Sequence, residues 1–215
     1  MSCWIKECSV CAGLIARFAS GVSRQAVPTA RQRAAECINE EVKRRLGGLH
    51  SAKCILYSVD FLLILTNTMH KVATEVEARV RIPLLHIADI TARRVLADGK
   101  KTVGLLGTKY TMEQDFYRAR LEAQGLKVLV PEERDRGFVN TVIFQELCLG
   151  RIVDESRAKY RRIISDLIER GADSIVLGCT EIGLLVKRED SSVPIFDTTL
   201  LHAQGAVEFA LSQQS

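Results

Sequence analysis

The sequence predicts an α/β protein built as two pseudo-symmetric halves, with mostly parallel sheets, flanking helices and a cleft between the halves. Apolar segments of strand length alternate with segments of helical periodicity, an order typical of parallel sheets covered by helices. One pattern also occurs twice: an apolar run ends on a hydroxyl or thiol residue, Thr66 or Cys179, and a second apolar run containing Pro83 or Pro194 follows. This repetition indicates two related halves, which would place Thr66 and Cys179 across the cleft from each other.

Helices are predicted where apolar residues recur every three or four positions and a cap or a glycine marks an end. The clearest helix covers residues 154–170 and is followed by Gly171 at the C′ position. Thr111 and Gln114 form a capping-box pattern, which predicts that another helix begins at Thr111 and ends at Gly125. The remaining predicted helices are 31–46, 68–80, 89–98, 138–149 and 200–211.

Strands are predicted at short runs rich in isoleucine, leucine and valine. They cover residues 53–59, 61–65, 84–87, 102–106, 126–130, 174–177 and 194–196. Only Asp60 separates the first two, whereas neighbouring parallel strands need a crossover of about a dozen residues or more. These residues therefore form one long bent strand, or a connecting helix is missing from this chain.

The chain divides into three predicted parts. Residues 1–37 are a leader in which basic residues outnumber acids, a balance typical of a transit peptide, although an unrelated leader has the same look. Residues 38–98 form a truncated first α/β half, on which the C-terminal helix 199–212 is expected to pack. Residues 99–198 form the second half.

The composition argues against several classes of partner. The chain has 215 residues, 47% of them hydrophobic and 26% charged, and its net charge of +4 is scattered, so no nucleic acid is expected to bind. No apolar run reaches the roughly 18 residues of a membrane span, so no membrane association is expected. Seven cysteines without a framework spacing indicate a reducing compartment, hence a cytoplasmic location, with organellar targeting by the leader as the alternative. Cys8 and Cys11 form a lone pair with no second pair or nearby histidine, so no metal site is predicted.

Polar residues follow the predicted strands at the edge where parallel α/β sheets bind ligands. Cys179 follows strand 174–177 and precedes a predicted helix N-terminus, which would lower its thiol pKa. A small buried core cysteine is the alternative. The adjacent Gly178, Thr180 and Glu181 favour function, because glycine admits a ligand to the backbone and polar neighbours can bind a carboxylate.

A second polar cluster, Thr66-Asn67-Thr68, follows strand 61–65. It predicts either a carboxylate-binding cradle or a cap for the next helix. Thr108 follows strand 102–106 and is a further candidate ligand contact. We therefore expect the active site in the cleft between the halves.

The histidines and glycines favour structural roles. His70, His86 and His202 are interpreted as structural residues. The turn from Gly104 to Thr108 lacks the lysine of a phosphate-binding loop and the third glycine of a dinucleotide fingerprint.

Several segments together resemble the aspartate/glutamate racemase family, within the wider Asp/Glu/hydantoin racemase superfamily. The most specific are Thr-Asn-Thr-Met-His-Lys at 66–71 and Gly-Cys-Thr-Glu-Ile at 178–182. Segments 38–40, 45–52, 58–61 and 110–117 also read like parts of this family. Glu181 after the Cys-Thr pair points to the aspartate-type branch.

The resemblance implies a cofactor-independent racemase that interconverts L- and D-aspartate or glutamate and forms a homodimer. One residue removes the α-proton, and its partner protonates the opposite face. Carried over to this chain, these roles fall to Cys179 and Thr66. The substrate site would then include Asn67, Thr68, Thr108, Thr180 and Glu181.

Three departures from the family pattern shape the hypothesis. Most members have cysteine where Thr66 stands, the usual N-terminal strand and Gly-Gly-Met-Ser-Trp-type loop are missing, and so is a helix between Phe61 and Leu62. Because a threonine hydroxyl is a poor general base, we expect asymmetric catalysis, in which Cys179 serves one face and Thr66, or a water it orients, serves the other. The alternatives are a one-cysteine decarboxylase or isomerase of small diacids, and a degenerate homologue without activity.

Overall fold

The structure, a computed structural model, describes residues 60–212. The predicted helix 31–46, the predicted strand 53–59, the leader 1–37 and the Cys8–Cys11 pair lie outside the described residues.

A four-stranded parallel sheet forms the centre of the described fold. Its strands are β1 (Thr102–Gly107), β2 (Lys127–Leu129), β3 (Ser174–Gly178) and β4 (Ile195–Asp197), in the order β2-β1-β3-β4. The sequence prediction of an α/β fold with a parallel sheet is confirmed, and each of these strands lies within one residue of its predicted ends. The apolar runs form strands here because helices bury both faces of the sheet.

The prediction of regular strands at 61–65 and 84–87 is wrong. They contribute one isolated parallel bridge between Leu62 and Leu84. The Leu62 amide donates to the Pro83 carbonyl at 2.9 Å, and the Leu85 amide donates to the Leu62 carbonyl at 3.0 Å. The pairing ends there because the His86 side chain caps a helix that begins at Ile87.

Helices occupy both faces of the sheet. They are α1 (Ala73–Glu77), α2 (Ile87–Ala97), α3 (Lys109–Glu113), α4 (Asp115–Ala123), α5 (Glu133–Gln145), α6 (Asp154–Glu169), α7 (Ile182–Leu185) and α8 (Thr198–Ser212), with 3₁₀ turns at Thr68–Val72, Leu147–Leu149 and Arg188–Asp190. The predicted helix 68–80 is thus a 3₁₀ turn followed by the short α1. None of the helices within residues 60–212 is both long and apolar enough to cross a bilayer.

The helix predicted to begin at Thr111 begins two residues earlier and breaks at Gln114. The hydroxyl that caps it belongs to Thr108, which accepts a hydrogen bond from the Thr111 amide at 3.3 Å. The capping-box prediction is therefore wrong about the capping residue. Thr111 lies inside the helix Lys109–Glu113, and its amide is the group that Thr108 caps, so Thr111 is not the N-cap residue.

Alternating residues of β3 divide between two cores. Val176 belongs to the core shared with α2, α4 and α8, whereas Ile175 and Leu177 belong to the core shared with α5, α6 and α7. Helices α2 and α8 pack closely on one side, where a Cβ on Gly205 would lie only 2.8 Å from Ile90. The parallel pairing of β1 with β3 places their carboxyl ends at one edge of the sheet.

Asp190 joins α6 to the turn after α7. Its side chain is fully buried and accepts hydrogen bonds from Arg157 Nε at 2.9 Å, from Arg161 Nε and from the Lys187 amide at 2.7 Å. Burial opposes ionisation, but these bonds outweigh it and hold the pKa of Asp190 below its usual range. The carboxylate is therefore a structural anchor behind the sheet.

We expect Asp190→Asn to lower the free energy of unfolding at pH 7 by about 2–4 kcal/mol, because it removes the charge between two guanidinium groups. Since the folded pKa is depressed, this stability is present above pH ~4 and is lost as the pH falls through the folded value. Urea denaturation at several pH values measures both effects. The control is Asp166→Asn, which removes a more exposed α6 ion pair with Arg162 and should change stability by no more than ~0.5 kcal/mol. Equal losses in both variants would contradict the anchor role.

Candidate active site

The ends of β1 and β3 lie side by side, with Gly107 paired to Gly178, so Thr108 and Cys179 follow at neighbouring positions. Neither glycine has room for a side chain. A Cβ on Gly107 would lie 3.1 Å from Thr111 Cβ, and a Cβ on Gly178 would lie 3.2 Å from Thr111 Cγ2. The two glycines therefore let Thr111 cover both strand ends, beside Cys179.

Three threonine hydroxyls meet at this edge. Thr68 Oγ1 lies 3.1 Å from Thr108 Oγ1 and 3.5 Å from Thr111 Oγ1, and the last two are 3.2 Å apart. Neutral hydroxyls that can rotate their protons offer donors to an anion such as a carboxylate. Thr68 and Thr108, both predicted from the sequence as ligand contacts, are thus brought together, with Thr111 as an addition.

The loop that carries Thr66 is tied to the end of β3 through Asn67. Asn67 Nδ2 donates to Thr198 Oγ1 at 3.0 Å, and that hydroxyl donates to the Leu177 carbonyl at 2.8 Å. Asn67 precedes the 3₁₀ turn Thr68–Val72, yet its side chain makes no capping bond to that turn. The Asn67 amide therefore holds this loop, through Thr198, to the carbonyl of Leu177, which lies two positions before Cys179 in the sequence.

Two oxygens of this loop are buried without a hydrogen-bond partner among the described residues: Thr66 Oγ1 and Asn67 Oδ1. A buried polar atom left without a partner costs about 1–3 kcal/mol. Proteins retain such atoms where a bound group satisfies them. The amide oxygen can accept from an ammonium group, and the hydroxyl can give or take a proton.

Cys179 is a buried thiol held against a carboxylate. Its Sγ donates to Glu181 Oε2 at 2.9 Å. Burial first, and then the negative charge of Glu181, raises the pKa of Cys179 well above its usual value. The expectation of a lowered pKa is therefore wrong, because α7 begins at Ile182, is only four residues long and is preceded by an acid.

Thr180 donates its hydroxyl to the same Glu181 oxygen at 2.6 Å. Thr180 and Glu181 were both predicted to bind substrate, and the structure directs them towards each other and towards Cys179. The pair can receive the thiol proton: the carboxylate would accept it from Sγ while Thr180 keeps the oxygen in place. Glu181 thus gives a thiol of raised pKa a route to the thiolate.

Thr111 and Thr198 are site residues that the sequence did not reveal. Because Thr111 matches the capping-box pattern, the sequence indicates a helix start there and not a site residue. Thr198 lies 131 positions from Asn67, and no short motif connects them. The sequence signal for Thr198 is its position directly after the β4 run Ile195–Asp197.

Three histidines of the described residues, His70, His86 and His202, are buried together near the Thr66 loop, in keeping with the structural interpretation. His70 and His86 have ring centroids 4.3 Å apart, and His70 and His202 are 5.9 Å apart. Burial, aided by the neighbouring cationic groups, lowers the pKa of His70 to about 4 and that of His86 to about 3. Both rings are neutral at physiological pH. Within residues 60–212, no cluster of three or more His, Cys, Asp and Glu side chains is arranged to hold a metal ion.

The sequence also matches a known protein family. The Asp/Glu/hydantoin racemase family model matches residues 14–206. The broad specificity amino-acid racemase RacX of Bacillus subtilis is 27% identical over 157 residues, which span 73% of this chain and 67% of the relative.

The chain is also similar to several solved structures. A candidate Asp/Glu racemase from Yersinia pestis is 46% identical, with a TM-score of 0.69 over 83% of this chain and 93% of its own. An aspartate racemase homologue from Pyrococcus horikoshii is 28% identical, with a TM-score of 0.66 over 84% and 93% of the two chains. A glutamate racemase from Bacillus anthracis, 18% identical with a TM-score of 0.57 over 86% of this chain and 68% of its own, shares the fold. With a parallel sheet, a Cys-Thr-Glu strand end and this coverage, the chain belongs to the Asp/Glu/hydantoin racemase family.

Proposed function

We propose that the protein is a cofactor-independent racemase that interconverts the enantiomers of aspartate, glutamate or both. The observation that carries the proposal is the buried Cys179 thiol hydrogen-bonded to Glu181 at the ligand-binding edge of the sheet. A thiol next to a proton acceptor suits removal and return of an α-proton. The similarity to a broad specificity amino-acid racemase of Bacillus subtilis supports an amino-acid substrate.

The site offers complementary groups for an amino acid. Asn67 Oδ1, buried and without a partner, would accept from the substrate ammonium group. The Thr68 and Thr108 hydroxyls would donate to the α-carboxylate. These contacts would hold Cα between the proton-transfer groups, and such positioning is a large part of catalysis.

The proposed reaction has two proton transfers. For one enantiomer, Glu181 takes the Cys179 proton, and the resulting thiolate removes the α-proton to leave a carbanion. Thr66, or a water that it orients, then gives a proton to the opposite face and regains one from solvent, and Glu181 releases its proton to solvent, which restores the starting enzyme. For the other enantiomer the order is reversed, and the protonated Cys179 thiol delivers the proton.

The test is ¹H NMR of L- and D-aspartate and L- and D-glutamate with the purified protein in D₂O. We expect loss of the α-proton signal and appearance of the opposite enantiomer, detected by chiral chromatography, for at least one amino acid. A well-folded sample that exchanges none of the four would contradict the proposal.

A second candidate is a diacid decarboxylase or isomerase that protonates one face. The observation that favours it is the buried Cys179 thiol, which burial and the hydrogen bond to Glu181 keep in its protonated form. Product analysis distinguishes the two reactions, because decarboxylation releases CO₂ and racemisation conserves mass.

A further inference from the structure

His70 uses both of its ring nitrogens to connect the Thr66 loop to α2. Its Nε2 accepts the Ile87 amide proton at 3.2 Å. The remaining proton of the neutral ring must therefore lie on Nδ1, which donates to the Thr66 carbonyl at 2.8 Å. The imidazole is thus a bridge between the backbone of Thr66 and the first amide of a helix.

Neighbouring side chains hold this ring in place. His70 is only 2% exposed, and His86 packs against it while its own Nδ1 accepts the Ala88 amide at 3.1 Å. His202 approaches from α8 and donates from Nε2 to the Leu85 carbonyl at 2.7 Å. His86 thus caps α2, and His202 connects α8 to Leu85. Of these three histidines, only His70 is bonded to Thr66.

We infer that His70 is a positioning residue: it holds the Thr66 backbone in place for the proton transfer proposed for Thr66. The inference rests on the proposed function of Thr66. The Thr66 hydroxyl has no partner among the described side chains, so its position depends on its backbone, and the His70 bond fixes that backbone. Displacing a reacting group by ~1 Å can cost on the order of 10²-fold in rate.

The bridge needs a neutral ring, because protonation removes the Nε2 acceptor. The charged and titratable groups around it are His86 and His202, together with Arg120 and Asp89, whose side chains form a two-bond ion pair with both distances at 2.8 Å. Since the folded pKa of His70 lies near 4, below the ordinary 6.5, stability and bridge are complete above pH ~6.5. Stability then declines as the pH falls from about 6.5 towards 4, and the bridge itself opens near pH 4.

Two amide replacements separate the ends of the bridge. In H70N, the short amide keeps a donor near the Thr66 carbonyl and loses the acceptor for Ile87. In H70Q, the longer amide keeps an acceptor near the Ile87 amide and loses the donor to Thr66. H202Q is the matched control, since it disturbs the same histidine cluster without a bond to Thr66.

The informative readout is the primary deuterium isotope effect on kcat/KM, measured with each α-deuterated enantiomer. The two enantiomers have equal free energies, so a variant must lower kcat/KM by the same factor for both. The size of that fall therefore does not show which of the two proton transfers is impaired. Weakening the Thr66 side raises the isotope effect for the enantiomer whose α-proton faces Thr66 and lowers it for the other. Thr66→Val identifies that enantiomer.

We expect H70Q to lower kcat/KM by about 10- to 100-fold and to shift the ratio of the two isotope effects as Thr66→Val does. H70N should shift this ratio less than H70Q, and H202Q should leave it unchanged. A purely structural His70 would give equal shifts in H70Q, H70N and H202Q, or none, and would overturn the inference.

Two further outcomes remain decisive. If H70Q does not fold, the wild-type ratio measured as the pH falls towards 4, with folding followed by circular dichroism, must move in the Thr66→Val direction. A ratio that moves in the opposite direction, or stays constant, overturns the inference. A wild-type protein without any exchange overturns the proposed function first, before a His70 variant is made.

Discussion

Cys179→Ser is expected to lower kcat/KM for racemisation by about 10²- to 10⁴-fold, the range typical of losing a general acid–base group. A serine hydroxyl is far less acidic than a thiol, so Glu181 could not generate from this hydroxyl the base that we propose it generates from Cys179 across their 2.9 Å hydrogen bond. The substitution is small and stays within a packed core, which allows the protein to fold. Chiral chromatography of the product gives the rate.

The matched control is Cys148→Ser, another thiol packed against the same apolar core but outside the proposed machinery. It should change kcat/KM by no more than about threefold. The isotope effect in Cys179→Ser should rise for the enantiomer opposite to the one identified by Thr66→Val. Near-normal racemisation in the Cys179 variant would remove this residue from the mechanism.

Thr66→Val is expected to slow the proposed second proton transfer and so to lower kcat/KM by about 10²- to 10⁴-fold. The same substitution should not destabilise the protein. Because the Thr66 hydroxyl is buried and has no partner among the described residues, replacing it with a methyl group should leave the free energy of unfolding unchanged or raise it by about 1–2 kcal/mol. Urea denaturation and racemase assays of one preparation measure both quantities.

An exposed threonine provides the control for this variant. Thr74→Val lies on the surface of α1 and should alter neither activity nor stability appreciably. A loss of more than ~1 kcal/mol in Thr66→Val would mean that the hydroxyl has a structural partner. Retained activity would mean that another group serves that face of the substrate.

The strands of the sheet could be predicted because their residues are buried on both sides and are therefore continuously apolar. The same rule failed at residues 61–65 and 84–87. Those runs are apolar because Phe61, Leu63 and Leu85 pack in the core, yet they pair only at Leu62 and Leu84. Burial and strand pairing leave the same trace in a sequence, so the pattern alone does not separate them.

The site was predictable as a set of strand-end positions, and its chemistry was less so. Cys179 and Glu181 are two positions apart, and no spacing rule says that the carboxylate turns back onto the thiol. That contact reverses the expected direction of the Cys179 pKa shift. The Asn67–Thr198 bond joins distant segments, which only the folded chain brings together. The division into a leader and two halves stays a prediction.

The crowding between Gly107 and Gly178 limits how this site can be re-engineered. Thr111 closes over both glycines, so any larger side chain at either position would push Thr111 and the hydroxyl of Thr108 bonded to it. A substitution meant to admit a different substrate would therefore disturb the carboxylate contacts common to all amino acids.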